Sequence, residues 1–198
     1  MKRTVLVLST CSALLFAAAS ILSAQAAKKP AEKAAPAAGA TAMSMKPAPE
    51  MDRVKWMVGT WQCTGKTMAS EMGPEHPSEA QVVIEMALDG HWLLSRYREK
   101  KTAQNPMPIS GDESWTYDAA EKMWNRLAID NMGGWAIGTA KGWEKGKLVF
   151  TSDAMMGGQK MKARDTFTQK NPHEIDYLGE MGTPDGKWAA LWSINCKK

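Results

Sequence analysis

The chain has 198 residues, room for one domain or for two very small ones. Its 44% hydrophobic and 23% charged residues exclude disorder along most of the length. Of 25 basic and 21 acidic residues, Lys2, Arg3, Lys28, Lys29, Lys33 and Lys46, with Glu32 and Glu50, precede residue 51. That leaves 19 of each sign in 51–198, so the net charge of +4 belongs to the N-terminal region and a nucleic-acid footprint on the domain is excluded.

Residues 1–26 read as a secretory signal peptide. Lys2 and Arg3 form the positive start, an apolar run extends from Val5 to Leu22, and Ala24-Gln25-Ala26 fits the small-x-small rule, so cleavage is expected after Ala26. The mature protein is then periplasmic or secreted, with no stable membrane insertion. The run is long for a signal, which makes an uncleaved anchor the rival reading. Cys11 is a poor lipoprotein site, because Thr10 precedes it and apolar residues continue past it. Residues 27–50 are rich in Ala, Pro and Lys and hold too little apolar surface to offset ordering entropy, so they read as a disordered linker. Met43 and Met45 form a soft-ligand pair there, read as part of the linker.

Cleavage leaves two cysteines, Cys63 and Cys196, near the two ends of the domain. An even count in an exported chain predicts one disulfide, with two separate buried thiols as the alternative. In a closed barrel the first and last strands are neighbours, which makes that bond geometrically natural.

Residues 51–198 are punctuated by turns at Gly73-Pro74, Asp89-Gly90, Asp118-Ala119-Ala120, Gly133-Gly134, Lys145-Gly146, Gly157-Gly158, Asn171-Pro172 and Pro184-Asp185-Gly186. The segments between them have the length of antiparallel strands. A helical turn over 51–58 precedes ten expected strands, near 59–68, 79–88, 91–100, 109–118, 122–130, 134–142, 146–153, 159–169, 173–181 and 187–196. Alternation assigns one face to Ala80, Val82, Ile84 and Met86, another to Met123, Asn125, Leu127 and Ile129, and a third to Trp188, Ala190, Trp192, Ile194 and Cys196. Lys160, Lys162 and Arg164 face away from Met161, Ala163 and Phe167. The expected fold is all-β, a closed antiparallel meander barrel of about ten strands.

Met57-Val58-Gly59-Thr60-Trp61 with Gly65-Lys66 resembles the Gly-x-Trp opening of the calycin barrels. Leu88-Asp89-Gly90-His91-Trp92-Leu93, Trp115-Thr116-Tyr117-Asp118-Ala119-Ala120-Glu121-Lys122 and Pro184-Asp185-Gly186-Lys187 extend the likeness. The wider pattern is similar to a bacterial family of unknown function with a lipocalin-like, nitrobindin-like barrel. The resemblance spans about 55–198 and implies a closed barrel with no established activity. Gly59 suits a tight turn from helix into strand, and Trp61 suits a structural plug at the barrel base.

Nine Trp residues outnumber three Phe and three Tyr. An aromatic interior with a few polar groups is what a small-molecule cavity needs, and Trp92, Trp115, Trp135 and Trp188 are the candidate lining residues. The alternative is that they fill the core. Arg96 shares a face with Trp92 and Leu94. If that face points inward, Arg96 needs Glu85, Asp165 or a ligand carboxylate as partner; otherwise the face is simply wet. The expected partner is a small apolar or amphipathic molecule. A filled structural or interaction barrel of the cell envelope is the alternative.

A haem or copper role is the weaker alternative, and neither a cofactor nor a metal site is expected. His91 and His173 follow turns, whereas a haem ligand must project into a cavity. Met68, Met72 and His76 are four apart in a Gly- and Pro-broken loop that would suit copper. No Gly-x-Ser-x-Gly elbow, phosphate-binding Gly loop or His-Glu-x-x-His occurs, so no catalytic residue is assigned. Asp112 and Glu113 fall on opposite faces of a strand and form no dyad.

Overall fold

The computed structural model describes residues 46–71 and 73–198. The expected signal peptide, its cleavage site and most of the linker lie outside the described residues, as does Met72 of the suggested copper loop. A 3₁₀ helix (Pro49–Met57) leads into ten strands: β1 (Gly59–Thr67), β2 (His76–Ala87), β3 (Trp92–Glu99), β4 (Ser110–Asp118), β5 (Met123–Asp130), β6 (Trp135–Ala140), β7 (Lys147–Met156), β8 (Gln159–Asn171), β9 (Glu174–Gly182) and β10 (Trp188–Lys197). Each strand pairs antiparallel with the next, and β1 pairs with β10 to close the barrel. The ten strands and the opening helical turn are those expected from the turn spacing. A meander with this many short hairpins has two unpaired edges unless it closes, and closure removes both.

The helix reaches β1 through Gly59, whose φ of +132° is open to glycine and strained for other residues. Met51, Val54 and Met57 of the helix are buried, and Trp61 donates its indole N–H to the Met57 carbonyl at 2.7 Å. Trp56 meets Trp61 and Trp143 edge-on, at 6.0 and 5.9 Å between ring centroids. The Lys198 ammonium accompanies this group, 4.7 Å from the Trp61 ring centre, and donates to the Val58 carbonyl. Helix, β1 and the C-terminus thus close one end of the barrel, with Trp61 as its plug.

Cys63 and Cys196 are directly opposed in the β1–β10 register and form a disulfide, Cα to Cα 4.0 Å. It links positions 133 residues apart across the seam, where chain-entropy arguments give stabilisation of up to about 5 kcal/mol.

Period two holds along the strands, but on β5 the buried face is opposite to the apolar row, and on β10 the expected row is inward only from Trp192 onward. On β5 the buried positions are Trp124 and Arg126, while Leu127 and Ile129 are exposed. On β10 a bulge between Ala190 and Trp192 inserts one residue and reverses the parity. Trp192, Ile194 and Cys196 therefore point inward, whereas Trp188 lies against Arg164, 4.6 Å from ring centre to guanidinium carbon. Among the described residues no helix is long and apolar enough to cross a membrane.

Candidate functional site

The inward positions of β5 to β8 differ from one end of the barrel to the other. Toward the helix-capped end they are Trp124, Leu148, Phe150 and Phe167. Toward the other end, β5, β6 and β7 place Ala128, Ala136 and Ala154 in one directly paired row, and β8 adds Ala163. Small side chains in a barrel wall leave space that large ones fill. The result is a cavity of about 210 Å³, walled by Trp61, Ile84, Leu93 and Trp115 toward the capped end and reaching Ile109, Asp130, Trp135 and Met156 at the opposite rim.

One polar cluster interrupts the apolar wall. Arg126, almost wholly buried, grips Glu113 through two bonds, Nε to Oε2 at 3.1 Å and Nη2 to Oε1 at 2.6 Å. Its Nη1 donates to Asp165 Oδ2 at 2.5 Å. Tyr177 donates its hydroxyl to Asp165 Oδ1 at 2.6 Å, and Trp115 donates its indole N–H to Glu113 at 3.0 Å. Phe150 and Phe167 lie 5.8 and 6.0 Å from the guanidinium carbon. A buried guanidinium is tolerable only with such partners, since an unpaired buried charge costs several kcal/mol.

The protonation states follow from these contacts. Burial would push the Glu113 carboxyl up, but the Arg126 charge, its hydrogen bonds and that of Trp115 outweigh it and hold Glu113 below its ordinary value. Burial would also lower Arg126, yet Glu113 and Asp165 raise it well above the ordinary value. Tyr177 is raised by burial and by the Asp165 charge. Tyr97, another lining residue, is pushed up to about 12 chiefly by burial, against the hydrogen bond with Ser78. The cluster is therefore Arg126 in its charged form, Glu113 ionised and Tyr177 neutral at pH 7.

The five expected ligand residues divide. Trp115 and Trp135 line the cavity, Trp115 deep within it and Trp135 at the rim opposite Ile129 and Met155. Trp92, Arg96 and Trp188 do not line it. On β3 the inward positions are Leu93, Ser95 and Tyr97, so Trp92 and Arg96 fall on the outer face, and Arg96 pairs there with Glu85 at 2.8 Å, both half-exposed. Trp188 is turned out by the β10 bulge, and Trp192 takes the inward place, its ring filling the space a Cβ on Gly179 would occupy.

The internal guanidinium is Arg126, which the sequence reading missed. Its alternation with Leu127 and Ile129 pointed to a wet face; the available signal was that Trp124 and Ala128 share its parity. Asp165 shares the inward parity of Ala163 and Phe167 on β8. Asp112 and Glu113 do diverge, Asp112 outward to Arg98 at 2.7 Å and Glu113 inward. His76, His91 and His173 are not among the lining residues, and no group of three or more His, Cys, Asp or Glu suited to a metal occurs among the described residues.

Comparison with known proteins places this geometry. Residues 46–198 match a family described as "Protein of unknown function (DUF1579)". No curated protein matches the chain. Among solved structures, Rv2717c from M. tuberculosis is similar at 10% identity and a TM-score of 0.61, over 77% of this chain and 99% of that one. The S-type phycobiliprotein lyase CPES from Guillardia theta is similar at 12% identity and a TM-score of 0.53, over 74% and 89%. At these identities the likeness is one of fold, and it extends to a lipocalin-like barrel.

Proposed function

We propose that this chain, which belongs to the family of unknown function DUF1579, binds a small apolar or amphipathic molecule inside its barrel. The observation that carries the reading is the 210 Å³ cavity, apolar in most of its wall and marked by one buried, fully paired polar cluster. Ligand sites are usually concave and mostly apolar, with few placed polar groups, and span about 300–1,000 Å³ for drug-sized molecules. The smaller volume here suits a small ligand, or one end of an amphipathic one entering past Trp135 and Met156. The barrel shared with a phycobiliprotein lyase is compatible with this reading. The filled-barrel alternative describes only the helix-capped end.

Export belongs to the same proposal. The basic start, apolar run and Ala24-Gln25-Ala26 motif support cleavage after Ala26, and a disulfide suits an oxidising compartment such as the periplasm.

The test uses the neutral fluorescent probe N-phenylnaphthylamine. The wild-type protein enhances its emission saturably, and Ala154→Trp, which fills the cavity from β7, abolishes the effect while leaving the circular dichroism unchanged. Equal enhancement by both proteins would place the probe on the surface and overturn the reading. Mass spectrometry of the protein exported from its host tests the cleavage site.

A further inference from the structure

We infer that the cavity selects ligands by charge, taking a cationic or neutral amphiphile and rejecting a carboxylate; this rests on the binding function proposed above. The charged side chains lining the cavity are Glu113, Asp130, Asp165 and Arg126, three carboxylates against one guanidinium. Glu113 and Asp130 sit on adjacent strands, one inward position apart, since Glu113 opposes Ala128 and Gly111 opposes Asp130. The negative charge thus runs along the β4–β5 wall from the cluster to the rim.

Arg126 looks like an anchor for an anionic headgroup, and it is already engaged. Three of its five N–H groups are bound to Glu113 and Asp165. An anion reaching the other two would lie against both carboxylates, in surroundings where like charges repel strongly. The carboxylates are partly engaged as well: Glu113 takes three bonds, from Arg126 and Trp115, and Asp130 Oδ1 accepts from the Met132 and Gly134 amides, so each keeps only part of its accepting capacity. Asp165 takes one bond on each oxygen, and ionised carboxylates offer about four lone-pair sites. Neither lysine nor histidine is among the lining residues. Trp135 at the rim adds an aromatic face of the kind that attracts ammonium groups. An ammonium head beside Glu113 and Asp130, with its tail among the alanines of β5 to β8, sets its charge against this net negative wall.

Three probes of equal chain length separate the cases: octylammonium, octanol and octanoate, titrated near pH 7 at low salt and followed by calorimetry and by quenching of the tryptophan emission. The ammonium binds at least tenfold more tightly than octanoate, with octanol between them. Ala154→Trp removes ammonium binding. Asp165→Asn, and separately the less buried Glu113→Gln, each narrow the gap between ammonium and octanoate by threefold or more. Because the wild-type ranking is decisive by itself, a variant that fails to fold does not rescue the inference. Octanoate binding as tightly as the ammonium, with all three probes bound in the cavity, would overturn charge selection and leave the binding function standing. Absence of binding by all three would overturn both. Ammonium binding that survives Ala154→Trp is surface binding and also overturns the inference.

Discussion

The two ends of the barrel are built from the same strands by the same register rules, yet they are opposite in character. At the helix-capped end, Ala140 of β6 faces Trp124 and is buried beside Leu148 and Phe150. At the other end, Ala154 of β7 faces Ala136, which faces Ala128. Both Ala140 and Ala154 are 3% exposed, so burial alone does not distinguish them. What differs is the neighbour. An alanine opposite a tryptophan is complementary packing, whereas three alanines in a row are a void. Strand pairing tolerates either arrangement, so the same wall can be filled at one end and left hollow at the other.

The boundary between the two ends is the Arg126 cluster, and breaking it should have the largest effect. Arg126→Ala leaves Glu113 and Asp165 buried without their cation, and chemical denaturation should show a loss of about 3–5 kcal/mol. The same cluster sets an acid limit. The folded-state value of Glu113 lies below its unfolded value, so its contribution is present above the ordinary glutamate range, near pH 4.3, and is lost as pH falls through the lower folded value. Denaturation midpoints of the wild type should fall over that window, and those of Arg126→Ala should fall less.

Next is the seam that both ends share. Replacing Cys63 and Cys196 together by alanine should cost about 2–5 kcal/mol, read as a lower denaturation midpoint matched by reduction of the wild type. A single transition in the variant would mean that the two ends unfold together; two transitions would mean that the seam holds them as one unit.

The sharpest version of the comparison is a pair of identical substitutions. Ala140→Leu forces extra volume against Trp124 and should cost about 1–3 kcal/mol, the usual penalty of overpacking. Ala154→Leu enters empty space and should change stability by less than about 1 kcal/mol while weakening probe binding. Equal costs at the two positions would show that the ends are equally filled. The smallest effect is expected outside the barrel. Arg96→Ala breaks the exposed pair with Glu85 and should change stability by less than about 1 kcal/mol and leave probe binding untouched.

Much of this molecule is legible from residue order. Turn residues at short intervals mark out the ten strands, the Gly59-Thr60-Trp61 segment marks the capped opening, and two cysteines in the terminal strands mark the seam. These are local signals, each carried by a few adjacent residues, and closure of a meander follows from the need to pair its edges. Trp115 and Trp135 are among the residues that line the cavity. The inward set was only partly legible, because period two defines two faces without saying which is inside. On β3 the wet face carries Trp92 and Leu94 alongside Arg96. On β5 it carries Leu127 and Ile129, while the inside carries a charge. On β10 one inserted residue turns Trp188 out of the row that Trp192, Ile194 and Cys196 keep inside.

The sequence by itself therefore determined the class, the strand count, the order of elements and the disulfide partners, since each depends on local conformational preference or on simple closure. Only the tertiary structure decided which side of each strand faces in, that Arg126 is neutralised by residues 13 and 39 positions away, and that a row of alanines from three hairpin-joined strands leaves a hollow. Those outcomes depend on register and on the sum of side-chain volumes across the barrel, quantities that exist only once the strands are side by side.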